Sequence, residues 1–277
     1  METSDDALIH YDRITRVWKF ILGKEFHYGL FLRSEDTLED ATRNLTLLMA
    51  KKCSLEPHLK LLDVGCGIGA PACFLAEQYH CQVTGISTSQ IGVQASTRLA
   101  QERRCTERAT FLEADAMDNK LPTASFDRVW ILESSHLMAR KDRMMTEAAR
   151  VLKPGGRLVL CDVIALRKLS FGEVLARAKQ FDHLHHAFGP AKMETLRMYQ
   201  VLAREAGLRA VETIDLSDKT YPTFAHWRHN LDVRMDRIGR YLGLDDIEHF
   251  RISCEILSEL WRQKILGYGL LVAVKDE

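Results

Sequence analysis

From residue 59 onward, short apolar runs alternate with longer segments whose apolar positions recur every three or four residues. The apolar runs have the length of strands and cover residues 59–64, 81–87, 109–113, 126–133, 157–163, 209–216 and 267–274. The helical spacing between them covers residues 71–79, 90–104, 141–152 and 193–206. This alternation predicts an α/β fold with a doubly wound, mostly parallel sheet of seven strands.

Three further segments, residues 1–50, 167–190 and 218–265, have a helical pattern that does not belong to the alternation. The last is expected to contain two helices that are broken near Gly243. Because ligands of open α/β sheets bind beyond the carboxyl ends of the strands, insertions after strands are placed to cover that edge. We therefore expect a single domain over 1–277. Its core covers about 51–166, 191–217 and 266–277, and the three helical segments form a lid.

Composition restricts the partners. With 38 basic and 38 acidic residues the chain lacks the basic excess that is typical of nucleic-acid-binding proteins. It contains no run of about 18 apolar residues, so no membrane span is expected, and its acidic first residues do not resemble a targeting peptide. Seven cysteines without a C-x-x-C pair indicate buried, reduced thiols in a cytoplasmic protein.

Residues 61–69, Leu-Leu-Asp-Val-Gly-Cys-Gly-Ile-Gly, form the most informative stretch. An apolar run ends in Asp63, glycines follow at 65, 67 and 69, and a helix begins near Pro71. A strand that turns into a helix through glycines lets a ligand lie against bare backbone, and the carboxylate adds a fixed acceptor. This combination suits a nucleoside with a positively charged tail, such as S-adenosylmethionine (SAM).

The alternative interpretation is a dinucleotide fingerprint, because Gly65-x-Gly67-x-x-Ala70 fits the pattern G-x-G-x-x-G/A. That motif needs an acid about 20 residues further on to hold the ribose. The second predicted strand instead ends in Ser87-Thr88-Ser89, which contains no acid. A NAD-dependent oxidoreductase is therefore the disfavoured alternative.

Four motifs in order carry a family resemblance: residues 63–69, Glu113-Ala114-Asp115-Ala116-Met117, Phe126-Asp127-Arg128-Val129-Trp130 and Leu152-Lys153-Pro154-Gly155-Gly156. Together they resemble the class I SAM-dependent methyltransferases, which have a Rossmann-like fold. The segments His27-Tyr28-Gly29, 85–90 and Glu133-Ser134-Ser135-His136 are similar to small-molecule O-methyltransferases of natural-product pathways, of the rebeccamycin sugar methyltransferase type. The resemblance covers roughly residues 10–165.

The resemblance implies a set of SAM-binding residues. They are Tyr11, Tyr28, Asp63, Gly65, Cys66, Gly67, Gly69, Ser87, Gln90, Asp115, Ala116, Met117 and Glu133. Asp63 would order the loop or the methionine amino group, and Asp115 would accept from the adenine amino group. The backbone of Ala116 or Met117 would meet a ring nitrogen. Ser87, with Gln90 nearby, would form hydrogen bonds to the ribose hydroxyls through uncharged groups.

The resemblance also implies that Tyr11 and the His27-Tyr28 pair of the N-terminal segment fold over the sulfonium. An aromatic face attracts a cation. Simple helix packing is the equal alternative for Tyr11.

Methyl transfer from a sulfonium is an in-line displacement, and an alcohol acceptor needs a base. His136 follows the fourth predicted strand at the ligand edge and titrates near neutral pH, so it is the predicted base. Asp162, at the end of the fifth strand, would fix its tautomer. Alternatively, His136 packs under the lid and Asp162 is a helix cap or a substrate clamp. In the sugar methyltransferases a second histidine follows, whereas this chain has Leu137.

We therefore predict methyl transfer to a small molecule, most simply to a hydroxyl group of a partly apolar or aromatic secondary metabolite, with N- or C-methylation as alternatives. A nucleic-acid partner is not expected, and the segment 133–136 does not match the Asn/Asp-Pro-Pro-aromatic motif of amino-directed nucleic-acid enzymes. The cluster His183, His185 and His186 lacks a complementary ligand pair, so no metal is predicted. The lid helices would suit a homodimer contact.

Overall fold

The computed structural model describes residues 20–240 and 243–277, so Tyr11 lies outside the described residues. The strands are β1 (Lys60–Val64), β2 (Gln82–Ser87), β3 (Ala109–Glu113), β4 (Phe126–Leu132), β5 (Leu152–Ala165), β6 (Leu208–Asp215) and β7 (Leu266–Lys275). The helices are α1 (Leu38–Cys53), α2 (Ala70–Tyr79), α3 (Gln90–Glu102), α4 (Lys141–Val151), α5 (Phe171–Ala176), α6 (Ala178–Phe188), α7 (Leu196–Glu205), α8 (Ser217–Thr220), α9 (Thr223–Val233), α10 (Met235–Ile238) and α11 (Leu244–Arg262).

The seven strands form one sheet in the order β3-β2-β1-β4-β5-β7-β6. The pairs β1–β2, β1–β4, β2–β3 and β4–β5 are parallel, and β6–β7 is antiparallel. The predicted doubly wound, mostly parallel sheet is confirmed. The strand order reverses between β1 and β4, and this switch point is where open α/β sheets bind ligands.

The structure corrects two predicted elements. Strand β5 begins at Leu152 rather than at residue 157, because the predicted turn pairs with β4 through a register shift, and Gly155 has a φ of 72°. Residues 22–37 contain no helix or strand, although a helical pattern was expected there. The carboxylate of Asp36 accepts from the amides of Leu32 and Arg33 and so favours a turn.

The chain folds as two compact units. The sheet unit comprises Thr46–Val163, Glu194–Asp215 and Gly269–Glu277. The helical unit comprises residues 20–45, Ile164–Met193 and Leu216–Tyr268. That the helical unit acts as a lid stays a prediction.

Each unit has its own apolar core. In the sheet unit, Leu61, Leu62 and Trp130 are fully buried on neighbouring strands. All seven cysteines are buried and free, as predicted. No helix within the described ranges has the length and apolar content needed to cross a membrane.

In the helical unit the ring of Tyr28 lies among other aromatic rings. The centroid distances from Tyr28 are 5.5 Å to Phe224, 4.7 Å to Trp227, 5.6 Å to Trp261 and 5.3 Å to Tyr268. All five rings are buried. This cluster therefore forms the aromatic core of the unit.

Two glycines with left-handed backbone offer a matched stability test. A Cβ on Gly65 would stand 2.3 Å from the Cβ of Ser134, whereas one on Gly155 would meet nothing within 4 Å. We expect Gly155→Ala to lower the free energy of unfolding by about 1–2 kcal/mol, the cost of the backbone conformation. Gly65→Ala should lose a further ~1–3 kcal/mol by overpacking. Denaturant unfolding measures both, and equal losses would contradict the contact.

Candidate functional site

The carboxyl end of β1 presents a carboxylate with one unpaired oxygen within the described residues. Asp63 is buried, and its Oδ2 atom has no hydrogen-bond partner within the described residues. Burial raises the pKa of Asp63 from 3.8 to about 7. A buried acceptor without a donor is costly unless a ligand supplies one, so Asp63 is suited to receive a cationic group.

The glycine loop follows Asp63, and its three glycines all have positive φ, 78° at Gly65, 55° at Gly67 and 78° at Gly69. Sequence reasoning assigned these glycines to ligand approach. The structure adds a second reason, because a Cβ on Gly69 would stand 2.5 Å from the Cβ of Ser96. The protein itself therefore requires small residues in this loop.

Helix α2 begins directly after the loop. Its first turn, which follows Gly69, has no side-chain cap. The first amides of such a helix attract an anion. This helix end is therefore suited to a carboxylate group, whereas Asp63 is suited to an ammonium group.

The carboxyl end of β2 holds the residues predicted to meet the ribose. The Ser87 hydroxyl accepts a hydrogen bond from the amide of Ser89 at 3.1 Å. Ser89 caps α3, since its hydroxyl accepts from the amide of Gly92 at 3.0 Å. Gln90 is exposed in the first turn of α3. Ser87 and Gln90 thus lie together at the ligand edge, and their contact with a ribose stays a prediction.

The loop after β3 contains Asp115, Ala116 and Met117, which are predicted to contact the adenine. The Asp115 carboxylate accepts from the amide of Met117 at 2.8 Å. Because an amide has one hydrogen, the Met117 amide is already used within the loop. The backbone contact of Ala116 or Met117 with a ring nitrogen stays a prediction.

The His27-Tyr28 pair lies in the helical unit. The ring nitrogens of His27 contact the carbonyl oxygen of Tyr28 at 2.8 Å and the Glu25 carboxylate at 2.9 Å. Both ring nitrogens of His27 thus contact residues of its own segment. The role of Tyr28 at the sulfonium stays a prediction.

Strand β4 ends in a short 3-10 turn, Ser135–Leu137, that positions His136. The Nδ1 atom of His136 lies 2.7 Å from Oδ1 of Asp162, and the His136 amide donates to Oδ2 at 3.0 Å. Asp162 is fully buried within β5, and its bond from the His136 amide also caps the 3-10 turn. The neighbouring parallel strands β4 and β5 bring the two side chains together.

Burial by itself lowers the pKa of His136, but the charge of Asp162 and the hydrogen bond to it, with the charge of Glu133, outweigh burial and hold the pKa above 6.5. Burial alone would raise the pKa of Asp162, yet the charge of His136 and several hydrogen bonds lower it below 3.8. Asp162 is therefore a carboxylate and only accepts, so Nδ1 of His136 carries the hydrogen. The lone pair of the neutral imidazole is on Nε2.

Glu133 lies where β4 leaves the sheet and has a φ of 48°, which is uncommon for a residue with a side chain. Its amide donates to the carbonyl oxygen of Cys161 at 2.9 Å. The next residue, Ser134, donates to the carbonyl oxygen of Val64 at 2.6 Å. The turn that carries His136 is thus tied to the glycine loop.

Sequence reasoning missed two residues of this site. The Ser135 hydroxyl lies 2.5 Å from Oδ2 of Asp162 and 2.7 Å from the hydroxyl of Tyr199. Ser135 directly precedes the predicted base His136, and this position in the sequence could have identified it as a site residue. Tyr199 lies on α7, and no local pattern separates it from a core tyrosine.

The histidine cluster lies in the helical unit. Nδ1 of His183 is 3.2 Å from Nδ1 of His249, and the rings of His186 and His249 are 4.6 Å apart. Within the described residues no group of three or more His, Cys, Asp or Glu side chains has an arrangement that could hold a metal.

Comparison with known proteins identifies the class that this fold and site define. A family model described as "Methyltransferase domain" matches residues 62–160. The 27-O-demethylrifamycin SV methyltransferase of Amycolatopsis mediterranei is 32% identical over 268 residues, 96% of each chain. The O-methyltransferase resE of Aspergillus sclerotiorum is 30% identical over 98% of this chain and 97% of its own. The chain belongs to the class I SAM-dependent methyltransferases and is an enzyme of that family.

Solved structures agree with this fold. The [4+2]-cyclase SpnF is 27% identical, with a TM-score of 0.84 over 99% of this chain and 97% of its own. The mycolic acid cyclopropane synthase CmaA1, solved with S-adenosylhomocysteine, has a TM-score of 0.88 over 99% of each chain at 20% identity. These relatives give the oxidoreductase alternative no support.

SAM is the cofactor of this family, and the site fits it. The unpaired Asp63 carboxylate matches the α-ammonium group of SAM, and the uncapped start of α2 matches its carboxylate. Ser87 and Asp115 supply hydroxyl and carboxylate acceptors at the ends of the next two strands.

Asp63 predicts proton release on SAM binding. Since the pKa of Asp63 is about 7, about half of these carboxyls are protonated at pH 7, and a bound ammonium group lowers that pKa. Calorimetry at pH 7 in two buffers of different ionisation enthalpy should detect about half a proton released per SAM, and affinity should fall as the pH drops below 7. Asp63→Asn should bind SAM more weakly and release no proton.

The control is Asp142→Asn. It should leave the SAM affinity and the proton release unchanged, because Arg140 holds the pKa of Asp142 at about 2. Release that persists in Asp63→Asn would exclude this origin.

The ion pair predicts the titration of His136. Asp162→Asn should lower the pKa of His136 by about 1–3 units, because it removes the opposite charge. NMR titration of the imidazole ring proton measures this, with the signal assigned by its loss in His136→Gln. Asp118→Asn, which removes an exposed carboxylate paired with Lys120, should not move it. An unchanged titration in Asp162→Asn would contradict the pairing.

Proposed function

We propose that this enzyme transfers the methyl group of SAM to a hydroxyl group of a small, partly apolar secondary metabolite, with His136 as the general base. The observation that carries the proposal is the hydrogen bond of 2.7 Å between Nδ1 of His136 and the buried Asp162 carboxylate. It leaves the basic lone pair on Nε2, which makes no hydrogen bond within the described ranges. The side chain of His136 is 19% exposed, so part of the side chain is open to solvent.

SAM, when bound, would supply a methyl group whose carbon–sulfur bond breaks as the acceptor bonds, so that the sulfur leaves as a neutral thioether. The protein's own task is to align the acceptor and to take its proton. As the acceptor oxygen forms its bond to the methyl carbon, the hydroxyl proton passes to Nε2 of His136. Asp162 stabilises the resulting imidazolium, and Nε2 later returns the proton to solvent.

The named relatives support an oxygen acceptor, since the rifamycin enzyme acts at a 27-O position by its name and resE is named an O-methyltransferase. A neutral amine carries its own lone pair and does not need a base. The paired His136 and Asp162 therefore favour a hydroxyl over an amine. Carbon methylation also needs a proton removed in many cases, so the position of the methyl group must be measured.

The test is label transfer from methyl-labelled SAM to a panel of hydroxylated polyketides and terpenoids. We expect label on a hydroxyl oxygen, located by mass fragmentation, and a loss of rate of about 10²–10⁴-fold in His136→Ala. His58→Asn is the control, because His58 is exposed with a φ of 69° and asparagine tolerates that backbone.

Full activity of His136→Ala would exclude His136 as the general base. Label on nitrogen or carbon would replace the hydroxyl acceptor with the corresponding alternative. An isomerised acceptor without label would instead point to a reaction of the kind named for the cyclase relative.

A homodimer is the second part of the proposal. Phe171 and Leu175 are 84% and 65% exposed on α5, and together with Val174 they form an apolar face at helical spacing. Exposed apolar faces of this kind favour association. Sedimentation should show a dimer that Phe171→Ser with Leu175→Ser weakens, whereas a monomeric native enzyme would exclude it.

A further inference from the structure

A buried chain of hydrogen bonds runs from α7 to the predicted base. The Tyr199 hydroxyl lies 2.7 Å from the Ser135 hydroxyl, which lies 2.5 Å from Oδ2 of Asp162. Oδ1 of Asp162 then contacts Nδ1 of His136. Tyr199, Ser135 and Asp162 are all fully buried. Neither Tyr199 nor Ser135 has a part in the mechanism given above.

The direction of each hydrogen bond follows from the number of hydrogens. The Asp162 carboxylate has none to give, so the single hydroxyl hydrogen of Ser135 points to Oδ2. Ser135 therefore cannot donate to Tyr199, and the Tyr199 hydroxyl must donate to Ser135. Burial raises the pKa of Tyr199, which keeps it a neutral phenol and a donor.

The Asp162 carboxylate has its acceptor sites filled on both oxygens. Oδ1 accepts from the amide of Val163 at 2.7 Å and from Nδ1 of His136, and Oδ2 accepts from Ser135 and from the His136 amide at 3.0 Å. Only the bond from Ser135 comes from a side chain that a second side chain holds in place. Without that bond Oδ2 keeps only the His136 amide as a donor, which holds the plane of the carboxylate less firmly.

We propose that Tyr199 and Ser135 are positioning residues that fix the plane of the Asp162 carboxylate and, through it, the tautomer of His136. The tautomer of an imidazole is set by the hydrogen bond that its other nitrogen makes. A turned carboxylate would let the hydrogen move to Nε2, the atom that must accept a proton. The consequence for catalysis rests on the proposed function, whereas the effect on the tautomer does not.

The test measures the tautomer of His136 by NMR and needs no methyl acceptor. In the full-length enzyme labelled with ¹⁵N-histidine, at alkaline pH where the imidazole is neutral, the ¹⁵N shifts of His136 show which nitrogen carries the hydrogen. His136→Gln assigns the signals. We expect the native enzyme to be protonated on Nδ1, and Tyr199→Phe and Ser135→Ala to shift population to Nε2–H.

The matched control is Tyr221→Phe. It also removes a tyrosine hydroxyl that pairs with a serine hydroxyl, that of Ser258 at 3.0 Å, but in the helical unit. It should leave the His136 shifts unchanged. The double variant Ser135→Ala with Tyr199→Phe should match Ser135→Ala alone, because Tyr199 acts only through Ser135.

An unchanged tautomer in Tyr199→Phe and Ser135→Ala overturns the proposal, as does a double variant whose shift is the sum of the two. If Ser135→Ala fails to fold, Tyr199→Phe alone decides, since it keeps the volume of the ring. With an acceptor in hand, kcat of Tyr199→Phe should fall about ten-fold with KM little changed. If His136→Ala remains fully active while the tautomer still responds, the proposed base fails and this inference stands.

Discussion

The burial of an ionised Asp162 is the constraint on which the rest of the site depends. A charge held away from water is costly unless donors surround it, and here backbone amides, a hydroxyl and an imidazole supply them. Those donors come from the turn after β4, from β5 itself and, through Ser135, from α7. One carboxylate therefore fixes three elements of the sheet unit and the orientation of His136. The polar contacts of the site also organise the ligand edge of the fold.

The sheet could be predicted because its signal is local. Apolar runs, glycines and the alternation of strand and helix each occupy a few residues, and their order defines a doubly wound sheet. The pairing of His136 with Asp162 could also be predicted, since His136 follows β4 and Asp162 lies near the end of β5, the neighbouring parallel strand. Tyr199 was not, because its contact with Ser135 spans 64 positions along the chain and depends on how α7 packs. The turn around Asp36 was missed because side-chain hydrogen bonds to the backbone outweighed a helical pattern.

The glycine loop shows how one motif meets two demands. Gly65 and Gly69 give the backbone the left-handed conformation that the turn requires, and neighbouring side chains occupy the space that a Cβ would need. The predicted ligand approach and the observed internal packing would thus favour the same residue at the same position. The sequence alone shows only that a glycine is present. The structure shows the packing cause, because Ser134 and Ser96 occupy the space that a Cβ would need.

The distribution of the buried cysteines has a consequence for experiments on motion. Six of the seven thiols belong to the sheet unit, and Cys254 on α11 is the one that falls in the helical unit. Burial raises the pKa of Cys254 to about 12, so its thiol is unreactive until the helix opens to solvent. The rate at which a thiol reagent modifies Cys254, compared with the other six, would report transient opening of the helical unit separately from that of the sheet unit. The chain thus carries its own chemical probe of local unfolding, with no engineered label.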